Sequence, residues 1–216
     1  MTPQVRTVGI EDEVIGAAEM FLAHPHRVFP VLDGSAVAGM RGDRARVIVE
    51  SPDGSWWGAM DFSADGRRML IAQYVSITDS RIYHLDLDSG DMELVVGDPD
   101  NPVYVLGTVP SFDAEDDGMF YASDEGSLLR QLAHYDFDSG ERTVLTGDIP
   151  WDVHGVRISR DRTRGVFIVN EGGIDRAWLL NPHTHEIRRI DSLPTGKVGG
   201  QSFSPDNSQL SLTLNT

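Results

Sequence analysis

The sequence predicts an all-β protein made of β-propeller blades, about four blades of four antiparallel strands each in an incomplete ring. Two landmarks recur along the chain at one spacing, and turn-forming residues are spread evenly between short apolar runs. The chain has 216 residues, with 22 glycines and 11 prolines, and 40% of its residues are hydrophobic. This composition is typical of a globular domain with many short strands.

The first landmark is an apolar residue followed by Ser or Asp and then a tight turn. Its four copies begin at Phe62, Phe112, Ile158 and Phe203, so they lie 50, 46 and 45 residues apart. A period of about 40 to 50 residues is typical of propeller blades. A β-sandwich also has many short strands but does not require a fixed repeat.

The second landmark is an alternating strand that runs into a hairpin turn. It occupies residues 82–90 and 132–140, with a degenerate copy at 178–185. Gly supplies a positive φ angle in such turns, and Asp bonds its own backbone. Because both landmarks keep one spacing, each unit is expected to be a four-stranded sheet.

These landmarks divide the chain. Residues 1–43 are expected to be an irregular segment with a short helix over 11–22, and residues 44–216 to be propeller repeats. The repeat units are expected at about 57–100, 101–149, 150–197 and, in part, 198–216. Propellers close with about four to eight blades, so we expect a small, incomplete or excised ring.

Several short segments carry a family resemblance. Residues 56–66, 75–80, 149–153 and 169–173 read WWGAMDFSADG, VSITDS, IPWDV and VNEGG. They resemble the propeller of prolyl-oligopeptidase-family serine peptidases, most of all the bacterial dipeptidyl-aminopeptidase and acylaminoacyl-peptidase branch. The resemblance covers residues 44–216.

That resemblance implies a two-part enzyme. In the family, an α/β-hydrolase domain carries the catalytic Ser, Asp and His, and the propeller admits short peptides and excludes large folded substrates. We expect this chain to be the non-catalytic propeller part, with a hydrolase domain and short peptides as partners. No catalytic triad is assigned within it, so we expect it to be inactive alone.

The residues themselves offer two candidate sites, a hydrolase nucleophile and a metal site. A hydrolase nucleophile lies in G-x-S-x-G at a strand-to-helix elbow, and the nearest string is Gly200-Gln201-Ser202-Phe203-Ser204. Its last residue is not Gly and it falls in an expected strand, so Ser202 is interpreted as a strand residue.

His-x-His pairs share one face of a strand and could begin a metal site. They occur at His24 with His26 and at His183 with His185. Pro25 breaks the first pair and a turn holds the second, so both pairs are expected to be solvated turn histidines.

Three further features have simpler interpretations than binding. The acidic turns at 86–90 and 136–140 faintly resemble calcium loops but lack the other ligands, so hairpin capping is expected. Glu171 could meet a peptide amine, but a turn between two strands is the simpler hypothesis. Four tryptophans are expected to pack between blades: Trp56, Trp57, Trp151 and Trp178.

Charge and cysteine content exclude several classes of function. The net charge is −16, which disfavours binding to nucleic acid and to anionic membranes. There is no cysteine, so disulfides and thiolate metal sites are excluded, and we expect no metal and no cofactor. No signal-peptide pattern or apolar run of about 18 residues is present, which favours a soluble protein of the cytoplasm over the periplasm.

Two other hypotheses remain open at this stage. The chain could be a stand-alone propeller that serves as a protein-binding scaffold. It could also be a truncated reading frame without a function of its own. In either case open blade edges invite self-association, so we expect the isolated chain to be oligomeric or poorly soluble.

Overall fold

The computed structural model describes residues 36–41, 44–51, 55–105 and 108–216. In this part of the chain the regular elements are sixteen β-strands in five antiparallel sheets, three of four strands and two of two strands. Each four-stranded sheet is a meander in chain order. We name these sheets blades 1 to 3, and the two-stranded sheets the N-terminal and C-terminal hairpins.

The N-terminal hairpin comprises β1 (Ala36–Arg41) and β2 (Arg44–Glu50), and the C-terminal hairpin comprises β15 (Lys197–Phe203) and β16 (Leu210–Asn215). Blade 1 comprises β3 (Trp56–Phe62), β4 (Arg68–Ser76), β5 (Asp79–Asp86) and β6 (Met92–Val96). Blade 2 comprises β7 (Ser111–Phe112), β8 (Gly118–Ser123), β9 (Gln131–Asp136) and β10 (Arg142–Val144). Blade 3 comprises β11 (Val153–Ile158), β12 (Gly165–Glu171), β13 (Ile174–Leu180) and β14 (Ile187–Arg189).

The predicted all-β blade architecture is confirmed. Each blade contains the four strands expected from the repeat. The first strands of successive sheets lie side by side, β3 with β7 and β11 with β15. They therefore line the axis around which the blades are arranged. The expected helix at 11–22 falls outside the described residues, and β1 lies within the segment expected to be irregular.

The second strand of each blade is its most buried element. Strands β4, β8 and β12 contain runs of five or six consecutive buried residues. Both faces of such a strand are covered, which explains why these segments read as continuous apolar runs without alternation.

The core is divided among the contacts between neighbouring sheets, which we call seams. One apolar cluster joins the N-terminal hairpin to blade 1, a second joins blades 1 and 2, a third joins blades 2 and 3, and a fourth joins blade 3 to the C-terminal hairpin. Each sheet thus buries its flanks only against its neighbours, as repeat architectures do.

Antiparallel connectivity sorts the loops onto two faces. The first and third turns of every blade lie on one side, which we call the turn face. The second turns and the linkers between blades lie on the other side, which we call the linker face. This division follows from the alternating direction of consecutive strands.

The first turns of blades 1 and 3 and the turn of the C-terminal hairpin share one hydrogen-bond pattern. The Oγ atoms of Ser63, Ser159 and Ser204 donate to an Asp carboxylate two residues later, at 2.6, 2.6 and 2.5 Å. The anchor motif identified in the sequence is therefore a self-bonded turn.

Candidate functional site

Ser202 lies within β15, paired with Ser211 of β16. The Oγ atom of Ser211 donates to the backbone carbonyl of Ser202 at 3.2 Å. Ser202 therefore sits in a strand ladder rather than at the strand-to-helix elbow that a hydrolase nucleophile requires. The interpretation as a strand residue is confirmed.

The second His-x-His pair lies in the third turn of blade 3, and its two rings diverge. His183 is exposed and lies 3.4 Å from Glu115. His185 is half-buried, with its ring centroid 4.3 Å from that of His134 and 5.4 Å from that of Phe120. Burial, and secondarily the nearby His134, lowers the pKa of His185. The expectation of a solvated turn residue is therefore wrong for His185, which packs in the seam between blades 2 and 3. His24 and His26 fall outside the described residues.

The acidic third turns cap their own backbone. The Oδ1 atom of Asp86 accepts hydrogen bonds from the N–H groups of Asp88 and Ser89, both at 2.8 Å. Asp136 accepts the N–H of Ser139 at 2.7 Å in the same way. These bonds hold the pKa of both carboxyls below their usual value. Hairpin capping is confirmed, and the described residues contain no group of three or more His, Asp or Glu side chains arranged to hold a metal ion.

Glu171 lies at the second turn of blade 3. Its carboxylate lies 3.4 Å from the Arg176 guanidinium, and the adjacent Asn170 Oδ1 accepts the N–H of Gly173 at 3.0 Å. Gly172 and Gly173 both have positive φ angles, of 60° and 97°. The segment is the expected turn between the second and third strands of the blade, and the Glu171 charge is paired within it.

The four tryptophans divide into two pairs. Trp57 and Trp178 pack in seam clusters, as expected. Trp56 and Trp151, however, are 50% and 42% exposed, so the expectation of inter-blade packing is wrong for them. Trp56 begins β3 and Trp151 lies in the linker just before β11, so both lie on the linker face.

The linker face gathers most of the large exposed apolar side chains. Besides the two tryptophans, blade 1 presents Ile77 with 77% of its surface exposed, and blade 2 presents Leu128 fully exposed. Tyr74 and Val75 at the end of β4 lie beside Ile77 and are about 40% exposed. Large exposed apolar patches often mark sites where another protein binds. All three blades contribute, so a partner docked here would contact the stack as a unit.

The turn face has a different character, because its side chains bond adjacent blades together. The N–H of Ala64 in blade 1 donates to the Asp116 carboxylate of blade 2 at 2.7 Å. At the equivalent position the N–H of Arg160 in blade 3 donates to Asn207 Oδ1 of the C-terminal hairpin at 3.1 Å. Asp116 and Asn207 each have a positive φ angle, 63° and 57°. The left-handed residue of each of these two turns thus reaches back to the preceding blade.

Arg162 occupies that same left-handed position in blade 3. Its guanidinium pairs with Asp116 of blade 2, donates to the Phe62 carbonyl of blade 1 at 2.5 Å, and lies 5.5 Å from the centroid of the Phe112 ring. Only 11% of its side chain is exposed. Burial lowers the pKa of Arg162, and the carboxylates of Asp61 and Asp113 oppose that effect. One side chain therefore joins three consecutive blades.

A buried acid and histidine complete this region. His134 Nε2 lies 2.8 Å from Asp113 Oδ2, and both side chains are less than 10% exposed. Burial acts to raise the pKa of Asp113, but the hydrogen bond and charge of His134 outweigh it, and the net pKa is lowered. The pair lies in the packed seam, so it stabilises the stack and lacks access to a substrate.

Comparison with known proteins supports the fold. The sequence matches no family profile and no curated protein. Among solved structures, TolB from Acinetobacter baumannii superposes with a TM-score of 0.60 at 15% identity, over 82% of this chain and 42% of that one. Prolyl oligopeptidase B from Galerina marginata superposes with a TM-score of 0.63 at 13% identity, over 83% and 26%. Oligogalacturonate lyase in complex with manganese gives 0.61 at 14%, over 82% and 53%.

These neighbours have in common a β-propeller, and that is the fold of this chain. The chain spans about a quarter to a half of the length of the three solved structures. At such identities the likeness extends to the fold alone. The described residues contain no helix with the length and apolarity to cross a bilayer.

Sequence reasoning missed Arg162 and Asp116. Each stands where the first and best copy of the turn has Gly66, which also has a positive φ angle. The sequence does carry a signal for them, which is a charged residue where another copy of the repeat has glycine. Such a residue adopts a positive φ angle only at a cost in conformational free energy, which a bonding partner must offset.

Proposed function

We propose that this chain is the non-catalytic propeller part of a prolyl-oligopeptidase-like serine peptidase. In this proposal an α/β-hydrolase domain docks on the linker face and supplies nucleophile, base and oxyanion hole. The propeller then admits short peptides and excludes folded proteins. The cytoplasm is the compartment we propose for it.

The observation that carries the proposal is the asymmetry of the two faces. Ile77, Leu128 and Trp151 are exposed on one face of three successive blades. The opposite face is occupied by self-bonded polar turns and inter-blade bonds. The core of a protein interface is more apolar than the rest of the surface, and among the described residues only the linker face offers large exposed apolar side chains from all three blades. The family resemblance and the prolyl peptidase neighbour favour a hydrolase domain as that partner.

The gene that encodes this chain provides the first test. We expect its complete product to contain a G-x-S-x-G hydrolase domain and to cleave fluorogenic dipeptides, whereas residues 1–216 alone give no turnover. A complete product without a hydrolase domain would overturn the proposal.

The second test concerns the linker face within that product. Changing Ile77 and Leu128 together to Glu is expected to loosen the docked domain, so that cleavage of a folded protein substrate rises relative to the dipeptide. Met92, which is 40% exposed on β6, offers a matched control, because Met92→Glu adds a charge away from this face. An unchanged ratio in the double variant would argue against docking there.

The alternative is a stand-alone scaffold that binds another protein through the same face. The likeness to TolB supports it, since this chain superposes on TolB about as well as on the prolyl peptidase, with TM-scores of 0.60 and 0.63. A complete gene product without a hydrolase domain, and a protein ligand lost in the Ile77/Leu128 variant but retained by the Met92 variant, would support this function instead.

A further inference from the structure

Two residues of the seam between blades 2 and 3 depart from the repeat. Asp113 begins the first turn of blade 2, where the first turns of blades 1 and 3 and the turn of the C-terminal hairpin begin with serine. His185 ends the third turn of blade 3, at a place that glycine takes in blades 1 and 2. It keeps the positive φ angle of that glycine, 59°. A side chain there costs conformational free energy, so a contact must offset it.

The contacts of both residues converge on His134 of β9. His134 Nε2 lies 2.8 Å from Asp113 Oδ2, and the ring centroid of His134 lies 4.3 Å from that of His185. Phe120 packs against both imidazoles, with its ring centroid 5.1 Å and 5.4 Å from theirs. Two imidazoles and a carboxyl group from two blades therefore share one site, which is closed on one side by an apolar ring.

The seam between blades 1 and 2 offers a matched comparison. His84 pairs with Leu70 of the second strand as His134 pairs with Phe120, so the two histidines hold equivalent places. Phe137, from the third turn of blade 2, stacks on His84 with 4.3 Å between centroids. In both seams the third turn of the following blade thus covers an imidazole. The covering ring is a phenyl group in one seam and an imidazole, which can take a proton, in the other.

The charge balance of the second seam depends on how many protons its imidazoles hold. The carboxylate of Asp113 is in contact with His134 and balances the charge of one protonated ring. A proton on His185 as well would place two positive charges in adjacent rings that are only partly reached by water. Like charges at this separation disfavour each other, and burial adds to the cost.

The other charged groups around this site do not supply a second balancing charge. Burial, followed by the charge of Asp113, raises the pKa of Asp117, so this neighbour becomes neutral before Asp113 as the pH falls. Asp136 is in electrostatic reach of His134, but its carboxylate caps its own turn. Arg162 brings a further positive charge close to Asp113.

The other histidine of the His-x-His pair lies outside the seam. His183 Nδ1 lies 3.4 Å from the carboxylate of Glu115, with 48% and 72% of the two side chains exposed. Protonation of His183 strengthens this contact, but solvent-exposed ion pairs contribute little to stability. The half-buried His185 therefore decides how the turn responds to pH.

We propose that the third turn of blade 3, residues 181–186, is a pH-operated latch on blade 2. The latch is closed while His185 is neutral and packs on His134, and it opens when His185 takes a proton. Opening brings the new charge into water and frees the turn-face end of the seam. Burial, followed by the charge of His134, lowers the pKa of His185 below 6.5, so opening occurs on the acid side of that value. The inference goes beyond the proposed function, because it concerns the turn face rather than the linker face.

Distances between spin labels on two neighbouring turns test the latch. The chain has no cysteine, so Asp138→Cys in the third turn of blade 2 and Thr184→Cys in that of blade 3 carry the only labels. Both positions are exposed. The labelled chain is diluted with an excess of unlabelled chain, so that double electron–electron resonance measures distances within one chain. We expect one distance population at neutral pH and a second, longer one that grows as the pH falls below 6.5.

Variants assign this response to His185. His185→Gly restores the residue that blades 1 and 2 have in this turn, and His185→Asn also tolerates a positive φ angle. Each is expected to remove the change in distance with pH, whereas His183→Gln is expected to keep it. Labels at Asp91→Cys and Asp138→Cys span the first seam, where Phe137 covers the imidazole, and are expected to show one population at both pH values.

Three results would overturn the proposal. The parent could show the same distances at neutral and at acid pH. The change with pH could persist in a folded His185 variant, which would place the titrating group elsewhere. The first seam could respond as much as the second, which would indicate a general loosening by acid. Circular dichroism at each pH shows which chains are folded, and none of these results bears on docking at the linker face.

Discussion

The seam between blades 1 and 2 and the seam between blade 3 and the C-terminal hairpin have the same polar contact but different apolar content. In both, a backbone N–H of one first turn donates to the left-handed residue of the next, Asp116 or Asn207. Beside that contact the first seam is filled by Phe112 and Phe137, whereas the other leaves a groove beside Phe203. The two seams therefore share the polar contact between first turns and differ in the apolar side chains packed beside it.

The largest expected difference between the two seams comes from the anchor phenylalanines. Phe112 is fully buried, so Phe112→Ala should lower the free energy of unfolding by about 3–5 kcal/mol. Phe203 is half-buried beside the groove, so Phe203→Ala should cost about 1 kcal/mol in the monomeric chain. Urea denaturation at a protein concentration low enough to prevent association would measure both. Equal losses would contradict the contrast between the seams.

The next largest effect should come from the two arginines on the turn face. Arg162→Ala leaves the buried Asp116 carboxylate without its partner, and such losses typically cost about 3 kcal/mol. Arg164 donates to the Asn207 carbonyl at 3.1 Å but is exposed, so Arg164→Ala should cost under about 1 kcal/mol. Thermal and urea unfolding of both variants would test this order, and similar losses would mean that the three-blade contact of Arg162 adds little.

A smaller effect, specific to the filled seam, should depend on pH. Burial lowers the pKa of His84 below its usual value of 6.5, and the charge of Arg68 acts the same way, against Glu93 and Asp86. The unfolded chain therefore binds the proton more readily than the folded one. The contribution of His84 to the free energy of unfolding is therefore complete above about pH 6.5. It declines as the pH falls towards the pKa of His84 in the folded state.

The variant His84→Leu isolates that contribution, since blade 3 has Leu179 at the corresponding place. Its stability should change less between pH 7.5 and 5.5 than that of the parent, as measured by urea denaturation. The half-buried His185 also has a lowered pKa, so part of the dependence of stability on pH should remain in the variant. If the stability of the parent and of the variant changed equally with pH, His84 would be excluded as a source of that change.

The sequence predicts the local parts of this structure well. Strand positions follow from the repeat because turn residues such as Gly66, Gly90 and Gly140 require positive φ angles that side chains disfavour. Apolar runs such as 69–72 identify the buried second strands for the same local reason.

The contacts between blades were less accessible from the sequence. Arg162 bonds a carbonyl 100 residues away, and no local pattern encodes that distance. Trp56 and Trp151 are expected in the seams because apolar residues between blades hold such stacks together, yet both are exposed at the linker face. Residue type alone does not tell which end of a strand faces a neighbouring blade and which faces solvent.

Successive blades are fixed to one another by their first turns, and amide hydrogen exchange at Ala64 tests this arrangement most directly. This N–H lies in an exposed turn and its acceptor is the Asp116 carboxylate, 52 residues away. We expect slow exchange in the parent, fast exchange in Asp116→Ala, and no change at Ala64 in Asn207→Ala. Exchange at the free-peptide rate in the parent would show that the turns do not meet, and would contradict the stacked arrangement.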